Sequence, residues 1–197
     1  MSSRIKNLCR CVKKGDKDAA CELLTIYYQD IFGYFRRLCG SKEDAEDLTQ
    51  QAFLKVWRSL GSFRGRSSFS TWLYRIAYNT YIDRHRRNRQ TKSCTDQWWQ
   101  QCIDTSPGPF ANAAERQMAK RLYTAVEQLD DGKKHLVHLH YYQGLSLRQT
   151  AKVLNISTST VKYRLREVIK LLREQLGVEE NGLSQKESIP IAKGEPI

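Results

Sequence analysis

Apolar residues recur at intervals of three and four along two long blocks of the chain, the spacing that places them on one face of an α-helix. The first block runs to about residue 90, and the second from about 114 to 176. Between Ala19 and Leu38 the apolar residues are too dense for a solvated helix, so we predict that this helix lies in a core. The pattern therefore indicates an all-α fold.

The periodicity breaks between the two blocks. Residues 91–113 contain a Ser-Pro-Gly-Pro sequence at 106–109, which cannot continue a helix because proline lacks the amide donor. We therefore predict two small helical domains joined by a flexible linker, with an N-terminal helical bundle over 1–90 and a C-terminal domain over 114–176. The polar tail, 177–197, is predicted to be disordered.

The C-terminal block contains the signals of two helices joined by a tight turn, within residues 146–165. Ser146 can cap the first helix with Gln149 as its capping-box partner. Asn155 follows where the turn needs a left-handed residue, and Ser157 can cap the second helix. This order of signals predicts a helix-turn-helix.

The face of the second helix that points away from its apolar residues is polar and basic. Hydroxyls at a helix N-terminus suit phosphate oxygens, and Lys or Arg suits guanine edges in the major groove. An ordinary basic amphipathic helix is the alternative. The residues of this face are Thr158, Ser159, Thr160, Lys162, Tyr163, Arg164 and Arg166.

Acidic residues crowd the start of another predicted helix, which Ser41 can cap. Four acids between 43 and 47 exceed what capping needs, so an acidic and amide-rich face in a basic chain indicates a partner with a basic surface. A solvated face is the alternative. This face, opposite an apolar stripe of Ala45, Leu48, Ala52 and Val56, holds Asp47, Gln50, Gln51 and Leu54.

A loop at 63–69 then opens a helix that extends to about residue 90. One side of this helix combines an aromatic ring with arginines, which can hold phosphates while an unpaired base stacks, so single-stranded DNA is the ligand that this side favours. For the arginines at the end of the helix, the alternative to a DNA contact is that they only make the helix end soluble. The residues of this side are Trp72, Arg75, Asn79, Asp83 and Arg86.

The net charge of the chain is +12, and it is concentrated in two segments. Residues 1–92 carry a net charge of +10, and residues 132–176 carry +7. Clustered positive charge indicates a polyanionic partner, because Lys and Arg displace the counterions that condense on phosphates.

Several classes of protein are disfavoured by what the sequence lacks. It has no apolar run long enough to span a membrane and no apolar signal region near residue 1, so we expect a cytoplasmic protein without stable membrane insertion. It has no Gly-rich phosphate loop and no nucleophile motif, so we expect neither catalytic residues nor a cofactor.

The six cysteines are too few for a disulfide scaffold and fit a reducing compartment. Cys9 and Cys11 lack the partners of a zinc site, so we interpret them as structural or free thiols. His135 and His138 share a predicted helical face, but two imidazoles make a weak metal site. We predict core or interface histidines and no bound metal.

Three stretches of this sequence resemble bacterial RNA polymerase sigma factors of the extracytoplasmic function (ECF) type. They are DAEDLTQQAFLKVWRSL at 44–60, FRGRSSFSTWLYRIAYNTYIDRHRRNR at 63–89, and LSLRQTAKVLNISTSTVKYRLREVIKLLREQL at 145–176. The resemblance implies a factor that binds core RNA polymerase, directs promoter-specific initiation and opens the duplex. It further implies control by an anti-sigma factor.

The resemblance also implies roles for individual residues. The docking surface for core polymerase would consist of Asp47, Gln50, Gln51 and Leu54. Contacts to the minus-ten element, as duplex and as melted non-template strand, would come from Ser67, Ser68, Phe69, Trp72, Arg75, Asn79, Arg84, Arg86 and Arg87. The minus-thirty-five element would be read by Thr158, Ser159, Thr160, Lys162, Arg164 and Arg166.

At several positions the chain departs from the pattern that it resembles. Gln51 stands where the family usually has Glu, and Tyr163 replaces a small residue. Thr150 and Asn155 replace the common Ile and Gly of the helix-turn-helix. The promoter preference of relatives is therefore not expected to transfer to this chain.

Two other classes of function stay open at the level of sequence. A stand-alone helix-turn-helix regulator with an N-terminal sensing or dimerisation domain would need no polymerase. A metal or redox sensor built on Cys9, Cys11 and the histidines would hold stoichiometric zinc.

Overall fold

The computed structural model describes residues 3–39, 41–88 and 113–177, and the regular structure within these ranges is entirely helical. The predicted all-α fold is thereby confirmed. The helices are α1 Ser3–Lys13, α2 Lys17–Leu38, α3 Lys42–Ser59, α4 Phe69–Asn88, α5 Ala113–Glu127, α6 Asp131–Val137, α7 Leu147–Leu154 and α8 Thr158–Leu176. A 3-10 turn, Leu60–Ser62, follows α3, and a π-helical turn, His138–Tyr142, follows α6.

The chain forms two compact units. The first contains α1 to α4, and the second contains most of the described residues after 112. Nearly all of the predicted linker, and the predicted tail after Gly177, lie outside the described residues. No helix in the described part of the chain is long and apolar enough to cross a membrane.

Side-chain caps determine where the helices of the first unit begin. Asp16 accepts a hydrogen bond from the Ala19 amide at 3.0 Å and caps α2. Ser41 accepts one from the Asp44 amide at 3.0 Å and caps α3, as the sequence predicted. These bonds satisfy amides that the helix itself leaves without a partner.

The core of the first unit lies between α2, α3 and α4. The predicted helix between Ala19 and Leu38 is confirmed as part of α2, and its inner face is fully buried. The predicted apolar stripe of α3 is also confirmed as buried. The outer side of α2 is less buried than its density of apolar residues predicts, because Ile26 and Tyr28 are exposed. The core side chains include Leu23, Ile31, Tyr34, Phe35, Ala45, Leu48, Ala52, Val56, Leu73 and Ala77.

The helix-turn-helix of the second unit has the caps that its sequence predicts. Ser146 and Gln149 form a complete capping box at the start of α7. Asn155 adopts the left-handed conformation, with φ 55° and ψ 44°, and ends α7. Ser157 accepts a hydrogen bond from the Thr160 amide at 3.0 Å and begins α8.

Two of the histidines are buried in the second unit. His135 and His138 lie on α6 and at the start of the π-helical turn, and both are at most 1% exposed. The prediction of core histidines is confirmed for this pair. Among the described residues, no group of three or more His, Cys, Asp or Glu side chains is arranged to hold a metal.

Candidate functional site

The outward face of α3 brings together the four residues predicted for polymerase docking. All four are exposed, because the buried stripe of the same helix faces α2 and α4. Leu54 is 56% exposed, although burial of a leucine would be favourable. Trp57, three residues later on the same helix, is also exposed and was not predicted. Its spacing of three from Leu54 was the signal that could have found it.

Ion pairs link α3 to α4. Arg84 pairs with Asp44, and its Nη1 lies 3.7 Å from Oδ2 of Asp47. Lys55 and Asp83 form a second pair at 3.1 Å. Arg84, which the resemblance assigns to DNA, is therefore held against the acidic start of α3 in this structure.

An exposed apolar groove lies beside α3, on the side of α2. Tyr28 stacks on Phe53 with ring centroids 5.7 Å apart, and on Phe32 at 6.5 Å. Leu24, Thr25 and Gln29 complete the wall, none of which the sequence analysis singled out. The groove offers apolar contact area next to the acidic face.

In the loop before α4 the two serines are half-buried and the phenylalanine is buried. Ser68 Oγ accepts a hydrogen bond from the Thr71 amide at 3.2 Å and thereby caps α4, while Ser67 is half-exposed. Phe69 is only 1% exposed and packs against Tyr27 and Phe63 at centroid distances of 5.5 Å. Its side chain therefore anchors the loop in the core of the first unit.

Backbone geometry fixes the shape of this loop at Gly65. Its φ of 68° lies in the left-handed region, which glycine adopts without strain. A Cβ there would collide with Nζ of Lys13, whose ammonium lies 5.9 Å from the centre of the Phe63 ring. Exposed arginines at 64 and 66 flank the glycine and add positive charge that the sequence analysis did not assign.

The outer side of α4 keeps most of its predicted residues available. Arg75, Asn79, Arg86 and Arg87 are exposed, and Trp72 is half-buried. The Trp72 ring packs against Phe63 with centroids 5.2 Å apart. The indole of Trp72 is thus packed partly against the core, while the arginines on the same side of α4 are exposed.

The outward face of α8 carries the residues predicted for the minus-thirty-five element. Ser159, Lys162, Arg164 and Arg166 are exposed, whereas Thr158 and Thr160 are half-buried. The apolar face is formed by Val161, Leu165, Val168 and Leu172, all of them buried. The packing of α8 in the second unit therefore presents its basic side to solvent.

The two cysteines nearest the N-terminus do not form a reactive pair. Cys9 and Cys11 are two residues apart on α1, and side chains at that spacing do not face each other on a helix. Burial raises the pKa of the Cys9 thiol, and this outweighs the opposing effects of Lys13 and a backbone hydrogen bond. A neutral thiol is a poor nucleophile and a poor metal ligand.

Comparisons with known proteins agree with this geometry. The family model of Sigma-70 region 2 matches residues 23–91, and that of Sigma-70 region 4 matches residues 119–172. The two matches define a protein of the sigma-70 class, with the acidic helix in one region and the helix-turn-helix in the other.

Relatives of known function show to which family within the sigma-70 class the chain belongs. The chain is 32% identical over 186 residues to the ECF RNA polymerase sigma factor SigW of Bacillus subtilis, covering 89% of this chain and 98% of SigW. It is 30% identical over 169 residues to the RNA polymerase sigma-H factor of Pseudomonas aeruginosa, covering 80% and 88% of the two chains. The chain therefore belongs to the ECF family of RNA polymerase sigma factors, which confirms the identification made from its three sequence stretches.

Solved structures share the fold. CnrH, solved in complex with the cytosolic domain of CnrY, matches with a TM-score of 0.65 at 21% identity, covering 90% of this chain and 100% of CnrH. The sigma factor RpoE of Bartonella quintana, solved with the anti-sigma factor NepR, also matches with a TM-score of 0.65, at 22% identity and 83% and 99% coverage.

Proposed function

We propose that this sigma factor docks on core RNA polymerase through the outward face of α3 and reads its promoter with α4 and α8. In this proposal residues 1–90 form a region 2-like domain, 114–176 form a region 4-like domain, and 91–113 link them. The observation that carries it is the α3 face, where acidic, amide and exposed apolar side chains lie together on a strongly basic chain.

The docking surface combines charge with an apolar anchor. Asp47 supplies negative charge for a basic partner, and Leu54 supplies apolar area whose burial becomes favourable only on assembly. Gln50 and Gln51 supply uncharged side-chain amides, which can both donate and accept hydrogen bonds across the interface. The proposed interface therefore combines apolar contact area with polar and charged groups, as stable interfaces do.

The minus-ten element is proposed to bind along the loop and the outer side of α4. Arg75, Arg86 and Arg87 supply charge for phosphates, while Asn79 and the serines supply hydrogen bonds. A surface that binds unpaired non-template bases more tightly than the duplex shifts the equilibrium toward melted DNA. Opening then requires no covalent chemistry, so the factor itself is not an enzyme.

Two of the residues assigned to this element have a different part in the proposal. Phe69 holds the loop in place from inside the core. Arg84 contacts DNA only after release from Asp44, and until then it fixes α4 to α3. The minus-thirty-five element is proposed to bind the outward face of α8, whose N-terminus and basic side chains suit a major groove.

An anti-sigma factor is the proposed regulator. CnrH and RpoE, which share the fold, were solved with partner proteins, in RpoE's case an anti-sigma factor. In this chain the exposed groove of Tyr28 and Phe53 supplies apolar area that such a partner can cover. A factor that acts on polymerase and is held this way works in the cytoplasm.

The docking surface is tested by a charge at Leu54. We expect Leu54→Glu to weaken assembly with core polymerase by about tenfold or more, because it replaces the apolar contact area of Leu54 with a carboxylate. Leu54 is a better test position than Asp47, because Asp47→Arg would also disturb the ion pair between Asp47 and Arg84. Labelled sigma factor titrated with core polymerase measures the affinity.

Met118→Glu is the matched control. Met118 is an exposed apolar side chain on α5, outside the proposed docking surface, and its replacement is expected to leave the affinity unchanged. Equal affinities for wild type and Leu54→Glu would contradict docking through this face.

A further inference from the structure

The outward face of α8 carries one side chain that neither the family match nor the predicted reading residues explain. Tyr163 is 62% exposed, more than any other large hydrophobic side chain in the part of the chain that the structure describes. A tyrosine ring left in water gives up the large burial energy that an aromatic contact supplies. A ring in that position is available to a partner.

Helix geometry places this ring at the centre of the outward face. Val161 and Leu165 are both buried, and Tyr163 is two residues from each. At about 100° per residue, Tyr163 points about 200° away from the buried side. Lys162 and Arg164, both exposed, lie about 100° to either side of it.

Two hydroxyls in the first turn of α8, those of Ser159 and Thr160, contact the capping residue of the helix. Oγ of Ser157 lies 2.7 Å from Oγ of Ser159 and 2.8 Å from Oγ1 of Thr160, and it also accepts the Thr160 amide. These hydroxyls hold the start of the helix together. The second turn, where Tyr163 lies, takes no part in this cap.

We propose that Tyr163 reads a thymine in the minus-thirty-five element, its ring packed on the 5-methyl group in the major groove, while Lys162 and Arg164 contact phosphates on the two sides. This rests on the proposed function of α8 as the reading helix. A helix in the major groove turns its centre to the bases and its flanks to the two backbones. The thymine methyl is the apolar feature of the base edges there.

The test uses the full chain assembled with core polymerase on promoters whose minus-thirty-five element is randomised, with the transcribed sequences read out. Wild type is expected to prefer thymine at one or two adjacent positions. Tyr163→Ser is expected to reduce that preference by about fivefold or more and to leave the other positions unchanged. Tyr163→Phe, which keeps the ring, is expected to retain it.

Lys170→Ala is the matched control. Lys170 lies two turns further along the same face and its side chain is 80% exposed, so its loss is expected to leave the sequence preference unchanged. Thermal unfolding of each variant checks the fold, which an exposed position should preserve.

Three results would overturn the inference while the proposed function stands. The first is an unchanged thymine preference in Tyr163→Ser. The second is a uniform loss of transcription that leaves the preference intact, which would place the tyrosine hydroxyl on a phosphate. The third is a Tyr163→Phe variant that loses the preference as Tyr163→Ser does. No transcription with wild type would contradict the proposed function itself, and the inference with it.

Discussion

At the scale of the residue, a buried hydroxyl in the second unit lowers the stability of the fold. Thr150 on α7 is fully buried, and its Oγ1 makes no hydrogen bond within the described part of the chain. A buried hydroxyl without a partner loses the hydrogen bonds that it made to water.

We expect Thr150→Val to raise the free energy of unfolding by about 1 kcal/mol, since a methyl group replaces the hydroxyl at similar volume. Urea unfolding measures the change. Thr49→Val is the matched control: Thr49 is equally buried, but its hydroxyl donates to the Ala45 carbonyl at 2.6 Å, so this change is expected to give no gain. A destabilised Thr150→Val would contradict the assignment.

Buried tyrosines make the first unit sensitive to alkali. Burial, with smaller effects from neighbouring ionisable groups, raises the pKa of Tyr34 and of Tyr74 well above the usual value of about 10. Unfolded tyrosines ionise near that usual value, while the folded ones keep their protons. The stability that these residues contribute is therefore complete below about pH 10 and is lost as the pH rises above it.

We expect the free energy of unfolding to fall as the pH rises from about 10 to about 12, with tyrosinate absorbance from the two buried rings rising only as the unit unfolds. Tyr34→Phe removes one ionisable group and should flatten the fall. A stability that stays constant over this range would contradict the expected shift.

At the scale of the element, the turn between α7 and α8 depends on a left-handed residue. Asn155 has a φ of 55°, where Asn and Gly are tolerated and an alanine Cβ is strained. We expect Asn155→Ala to destabilise the protein by about 1 kcal/mol. It should also lower transcription from promoters that depend on the minus-thirty-five element, because the angle between the helices is no longer fixed.

Asn155→Gly serves as its control, because glycine adopts the same conformation without strain. Thermal unfolding and transcription are measured on both variants. If Ala and Gly behave alike at this position, the conformation of the turn is not what matters.

The elements that local signals determine are those that the sequence predicted. Ser41, Ser146, Gln149, Asn155 and Ser157 act through neighbours within a few residues, so their caps and turn could be predicted without the fold. The buried stripe of α3 followed from its period of three and four.

Other features depend on residues that are distant in the sequence. Phe69 was expected in a ligand-facing loop, but it packs against Tyr27 on another helix. Arg84 was expected to contact DNA, and it pairs with Asp44, 40 residues away. No local pattern contains such partners, which is why the exposure of these helix faces could be predicted from the sequence but these contacts could not.

At the scale of the whole molecule, the distribution of charge matches a factor that meets both protein and DNA. The two basic segments, 1–92 and 132–176, favour a polyanion, and the acidic face of α3 interrupts the first of them. The chain therefore offers opposite signs of charge to its two proposed partners. As a member of the ECF family of sigma factors, it is expected to act together with core polymerase.

The most direct measurement is transcription in vitro by core polymerase on a library of genomic fragments, with and without this protein. We predict new, discrete transcripts with wild type and with Met118→Glu, and their loss with Leu54→Glu. An absence of transcripts with wild type, together with binding to duplex DNA without polymerase, would contradict the account and favour a stand-alone regulator.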